Sequence, residues 1–160
     1  MYKYVFLLIL GIFTLVFSTF FAWYEGSAII DIPWEWNYST PFSKLFNIEI
    51  VSGYEISQLD YFVYAAKYQP LFPIIMLLSM CYILSIIGYY LVKHHIKQGL
   101  IFLGVISCTI LLFGSVAFNS LTIGGRIFFS VTLIIGFISA IITVFAYLKS
   151  AKIRTSNNTN

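Results

Sequence analysis

The chain has 160 residues, 60% of them hydrophobic and 9% charged, with a mean hydropathy of +0.92 and a formal net charge of +3. Soluble domains carry about 25% charged residues, and a fold of this size buries only about 70% of its surface, so a water-soluble globule is excluded. The basic residues are spread along the chain rather than gathered in one patch, which points away from nucleic acid and toward the lipid bilayer as partner.

The first apolar run, Val5–Ala22, has 18 residues and no charge, enough to cross a hydrocarbon core of about 30 Å. Lys3 precedes it, so a cleaved signal peptide competes with a span. The run exceeds the 7–15 residues typical of a signal core and ends in Trp23-Tyr24, an interfacial anchor, which favours a retained helix.

Residues 23–70 form the one polar stretch. It holds all six acidic residues (Glu25, Asp31, Glu35, Glu49, Glu55, Asp60) and all three tryptophans. Its many Ile, Phe, Tyr and Trp residues argue for order rather than disorder. Ser27–Ile32 reads as a short β-type run stopped by Pro33. Alternation at Ile48-Glu49-Ile50 and at Tyr54-Glu55-Ile56, around Ser52-Gly53, predicts a β-hairpin. Ser57-Gln58-Leu59-Asp60 matches a capping box and predicts a short helix with Leu59, Phe62, Val63 and Ala66 on one face. Trp34 and Trp36 flank Glu35, so on a strand both indoles share a side. They are the candidate partner-binding residues, and headgroup anchoring is the competing role. Asn37-Tyr38-Ser39 fits a glycosylation sequon, a pattern common by chance; the second match, Asn157-Asn158-Thr159, falls in the tail.

Three further runs follow, at 71–92, 100–118 and 127–148, none with Asp, Glu, Lys, Arg or His. The expected fold is an all-α membrane bundle of four transmembrane helices, in a single domain, with a small extracellular β-containing loop. The links are Lys93–Gly99, short and basic, and Asn119–Arg126, with the breaker pair Gly124-Gly125. With the N-terminus inside, Lys3, Lys93, Lys97, Lys149, Lys152 and Arg154 are cytoplasmic, and Lys44, Lys67 and Arg126 are outside. That excess predicts a multi-pass protein of the cell membrane with both termini cytoplasmic.

Small residues at helical spacing mark packing seams: Gly11, Thr14, Ser18, Ala22; Cys81, Ser85, Gly88; Gly104, Ser107, Cys108, Ser115; and Thr132, Gly136, Ser139, Ala140, Thr143. Cys81 and Cys108 fall near mid-membrane, where a thiol–quinone exchange centre is conceivable. Nothing electropositive lies beside them in sequence, so packing is the better reading. His94-His95 point about 100° apart on a helix and cannot grip one ion from one face, so no metal and no cofactor is expected. Proton relays and ion-coupled transporters place ionisable groups inside their spans, and these spans have none.

Four spans, cytoplasmic termini, a first outer loop with β character, and Trp23 followed by Trp34-Glu35-Trp36 together resemble the claudin and peripheral-myelin type of membrane protein. In that family two loop cysteines follow the Trp-rich segment; here the loop has none. The resemblance implies lateral assembly, or association with a larger membrane protein, rather than catalysis. The expectation is therefore a non-enzymatic protein whose loop 23–70 mediates assembly, as a homo-oligomer or with a larger complex. The alternatives are a small structural subunit of a respiratory or transport complex, and a quinone-linked membrane thiol oxidoreductase.

Overall fold

The computed structural model describes residues 2–116 and 121–158, and within them the chain is helical, with no strand. The first helix, α1 (Tyr2–Gly26), carries no proline or charge through its apolar run and continues to the cap. Next come a 3-10 turn at Ser27–Asp31 and another at Pro33–Glu35, then α2 (Trp36–Ser39) and α3 (Pro41–Leu45). A 3-10 turn at Gly53–Glu55 leads to α4 (Gln58–Tyr68). Three longer helices finish the chain: α5 (Leu71–His94), α6 (Ile96–Val116) and α7 (Ile123–Asn158).

Helices α1, α5 and α7 are each long and apolar enough to cross a membrane. Chain neighbours pack antiparallel. Tyr4 meets Tyr89 at one end of the α1–α5 pair and Phe21 stacks on Phe72 at the other, with ring centroids 6.2 and 4.9 Å apart. Then α5 packs on α6, and α6 on α7, whereas α1 and α7 have no extended packing against each other among the described residues. The result is an open arc, with α4 lying across one end in contact with α1, α5 and α7.

The seams follow the small-residue spacing in α1 and α7. Gly11, Ser18 and Ala22 are buried in the first, with Thr14 half-buried, and Thr132 and Gly136 in the second, where Gly136 faces Leu111 and Ser139, Ala140 and Thr143 are half-buried. Their hydroxyls turn back onto their own helix, Ser18 to the Leu15 carbonyl and Thr132 to the Phe128 carbonyl, so no polar atom is stranded. On α5 the buried small residues are Ser79 and Gly88, while Ser85 is exposed and Cys81 half-buried. On α6 Ser107 is buried, but Cys108 is exposed and Gly104 faces open space. The Ser115 side chain lies outside the described residues. Both misses have one cause: spacing finds a stripe, but not which side of the helix the neighbour occupies.

Other expectations need correcting. The link Lys93–Gly99 is almost entirely helix, because α5 runs through His94 and α6 starts at Ile96, with His95 alone as the hinge. Gly124-Gly125 does not break a helix. Thr122 Oγ1 accepts the Gly125 N–H at 3.2 Å and caps α7, and both glycines are buried in its first turn. Residues 117–120, part of the expected third span and of the link after it, lie outside the described residues, as does Thr159 of the second sequon.

The β-containing loop is the largest correction. Where a strand was expected over Ser27–Ile32, Ser27–Asp31 is a 3-10 turn with Ile29 fully buried. The hairpin is replaced by a capped turn: Glu55 accepts the N–H groups of Val51 and Ser52 at 2.6 and 3.0 Å, consuming donors that a ladder needs. An isolated hairpin is marginal in any case, and among the described residues there is no third strand to pair with it. The β character that contributed to the claudin-like resemblance therefore has no counterpart in the loop.

Candidate functional site

The cap, residues 23–70, sits at the end of the bundle away from both termini. Its core is Ile29, Ile56, Tyr61 and Tyr64, with Trp23, Ile30, Ile32, Trp36 and Ile50 packed around it. The face of α4 that enters this core carries Tyr61, Tyr64 and Ala65, not the expected stripe of Leu59, Phe62, Val63 and Ala66, of which Leu59 is exposed. Tyrosine wins because its ring supplies core area while its hydroxyl can reach a polar rim. Burial pushes the pKa of both phenols above the usual tyrosine value, with Glu35 adding to the shift at Tyr64.

Two carboxylates hold the cap together. Asp60 is completely buried. It accepts the Phe42 and Ser43 N–H groups, each at 2.8 Å, and the Ser43 hydroxyl at 2.6 Å. Those amides open α3, where Pro41 occupies the first position and has no N–H to satisfy. A side chain from α4 thus serves as the N-terminal cap of α3, where negative charge also meets the positive end of the helix. Ser43 passes the link on, its Oγ accepting the Ser57 N–H at 2.9 Å. The capping box read at Ser57–Asp60 is thus only half formed. Ser57 caps Leu59 weakly at 3.4 Å, and Asp60 is spent on α3. The box with both halves is Ser52–Glu55.

The second knot centres on Glu35. Its carboxylate accepts the Tyr68 hydroxyl at 2.5 Å and the Ser39 hydroxyl at 2.8 Å. Desolvation first, then the hydrogen bond to Glu35, pushes Tyr68 up to about 12. Lys67 Nζ donates to the Tyr38 carbonyl at 2.7 Å and to Ser39 Oγ at 3.0 Å, and Lys44 Nζ donates to the Asn37 carbonyl. Two lysines thereby close the C-terminal end of α2. Burial holds Lys67 below the usual lysine range, with Glu35 opposing and Lys44 adding to the shift.

The two candidate tryptophans part company. Trp36 turns inward, its indole N–H donating to the Ile29 carbonyl at 2.9 Å. Trp34 is 71% exposed. They do not share a side, because the backbone there is a helical turn, on which residues two apart diverge by about 200°. Other exposed apolar groups are Tyr38 (76%), Val51 (82%) and Tyr54 (86%). Sequence reasoning missed these, and the one available signal was the Ser-x-x-Glu spacing at Ser52–Glu55, which presents Tyr54 on a tight turn. Asn37, of the first sequon, is exposed on α2. His94 and His95 are exposed, and no group of three or more His, Cys, Asp or Glu able to hold a metal occurs among the described residues.

The family described as "Domain of unknown function (DUF4306)" matches residues 5–92, which take in most of α1, the whole cap and most of α5. The chain is also 39% identical over 77 residues to "Uncharacterized protein YjdJ" of Bacillus subtilis (strain 168), a match covering 47% of this chain and 69% of that protein. No solved structure matches.

Proposed function

We propose, for a chain that belongs to the DUF4306 family, a non-enzymatic role: a membrane protein whose cap docks onto a membrane-embedded partner, either another copy or a larger protein. In this reading α1, α5, α6 and α7 all cross the bilayer, α6 being a continuous helix of 21 residues. Both termini are cytoplasmic and the cap faces out, a sense supported by six of nine basic residues falling at the terminal end.

The observation that carries the proposal is the division of labour within the cap. Its acids Asp60, Glu35 and Glu55 are engaged in internal hydrogen bonds, while Trp34, Tyr38, Val51 and Tyr54 are left uncovered on its short helices and turns. Polar groups that fix the scaffold and aromatic groups that project from it are the composition of a binding surface, where Trp and Tyr dominate the energetics. The family match supports this, since it covers the cap and its two flanking helices rather than α6 and α7.

Photo-crosslinking residues at Trp34 and Tyr54, in cells expressing the full chain, test the proposal. A discrete protein adduct at both positions, homodimeric or with a larger membrane protein, is the expected result. Adducts to lipid alone refute it. Impermeant labelling of Glu49→Cys and Lys152→Cys, in a chain with Ser at Cys81 and Cys108, tests the topology: reaction of only the first on sealed cells is expected, and reaction of both overturns it.

A further inference from the structure

At the opposite end of the bundle, the hinge between α5 and α6 opens a surface cavity of about 440 Å³ lined by Lys93, His94, His95, Ile96, Lys97 and Gln98. We infer that this groove is a binding site for the phosphate of an anionic phospholipid, in the leaflet that meets the terminal end of the protein. The inference rests on the four-span reading above.

The charge balance comes first. No acidic residue follows Asp60 in the chain, and every acid lies in residues 25–60. Asp60, Glu35 and Glu55 are committed within the cap. Lys93 and Lys97 therefore have no Asp or Glu side chain at their end of the molecule among the described residues, and both are exposed. A concave, two-lysine surface without an internal counter-ion attracts an external anion.

Depth is the second argument. Tyr89 and Tyr90 are 57% and 61% exposed on the last turns of α5. Tyr4 of α1 pairs with Tyr89, and the Tyr90 ring lies 4.5 Å from the His94 ring. Tyrosines gathered at one end of apolar helices sit at headgroup level. The groove begins one turn beyond them, at the height of lipid phosphates. Gly99 N–H bonds to the His95 carbonyl at 2.9 Å as the first helical bond of α6, which leaves the amides of residues 96–98, all of which line the cavity, ahead of the helical ladder.

A membrane offers this chemistry at high local concentration, which is why the lipid rather than dissolved phosphate is the occupant. Each basic residue near an anionic surface strengthens attachment by roughly fivefold, so removing two should weaken it by roughly twenty-five-fold. The test is native mass spectrometry of the detergent-solubilised full chain, titrated with phosphatidylglycerol and, separately, phosphatidylcholine. One tightly retained phosphatidylglycerol, a roughly twenty-five-fold loss in Lys93→Gln/Lys97→Gln, rescue by Lys93→Arg/Lys97→Arg and no change for phosphatidylcholine are expected. Retention by the Gln variant equal to the parent overturns the site. So does full displacement of the lipid by inorganic phosphate, which would make the free anion the ligand. Intact tryptophan emission in the Gln variant separates lost binding from lost fold. The Cys-labelling experiment fails independently if the four-span reading is what is wrong.

Discussion

Replacing Asp60 with alanine removes the acceptor for three donors at once: the Phe42 and Ser43 amides and the Ser43 hydroxyl. A buried donor left without a partner costs about 1–3 kcal/mol, and loss of a helix N-terminal cap costs about 0.5–2 kcal/mol. The Ser43 hydroxyl can turn elsewhere, but the amides cannot, so the cap should lose about 3–5 kcal/mol. Asp60→Asn keeps the shape and one acceptor oxygen but aims an NH₂ at a backbone N–H, and should cost somewhat less. Ser43→Ala orphans only the Ser57 N–H and should cost about 1–2 kcal/mol. The α1–α5 seam does not use these groups, so the loss should be confined to the cap. Hydrogen exchange of peptides spanning residues 41–60, in detergent, reads it directly: 3 kcal/mol corresponds to roughly a hundredfold loss of protection. If Asp60→Ala exchanges within threefold of the parent across that segment, the carboxylate is not what joins α3 to α4.

Glycine to alanine inside a helix ordinarily stabilises by about 0.5–1 kcal/mol, yet Gly26→Ala should do the reverse. A Cβ there would stand 2.0 Å from the Tyr61 carbonyl oxygen, and such overpacking costs about 1–3 kcal/mol, visible as a lower thermal midpoint by Trp fluorescence. Trp36→Phe, which forfeits the bond to the Ile29 carbonyl, should lower cap stability by about 0.5–1.5 kcal/mol in the same assay. Trp34→Ala should leave that midpoint unchanged while abolishing the crosslink at Tyr54. Finally, Tyr68 binds its proton more tightly when folded, near 12 against an ordinary 10. That contribution is complete below pH 10 and is lost as pH rises toward 12. The cap should therefore loosen over that interval, and Tyr68→Phe should flatten this alkaline limb in a pH-dependent melting series.

Long uncharged runs made the apolar helices legible, three of them long enough to cross a membrane, because a segment that pairs every backbone group within itself suits lipid. The seams on α1 and α7 were equally readable from Gly11, Ser18, Ala22, Thr132 and Gly136. Inside the cap, local pattern misled. Ile48-Glu49-Ile50 alternates as a strand should, but the competing capping box at Ser52–Glu55 takes the amides first. Asp60 obeys the local rule for α4, yet its carboxylate is drawn 17 and 18 residues back along the chain to Ser43 and Phe42. A tertiary cap of this kind leaves no periodic trace, since donor and acceptor meet only after the chain has folded. Trp34 and Trp36 were found as candidates, but their opposite fates depend on a turn of helix where a strand was expected.

The seating of α4 has one more consequence. It rests on glycine at both ends, the Tyr61 carbonyl against Gly26 of α1 and the Lys67 carbonyl against Gly124 of α7. Since α1 and α7 are the two edges of the arc, this short helix acts as a tie-bar between flanks that have no extended packing of their own among the described residues. A load applied to the exposed aromatics would thus be shared by both flanks, and the spacing of the edges would report on whatever grips the far side.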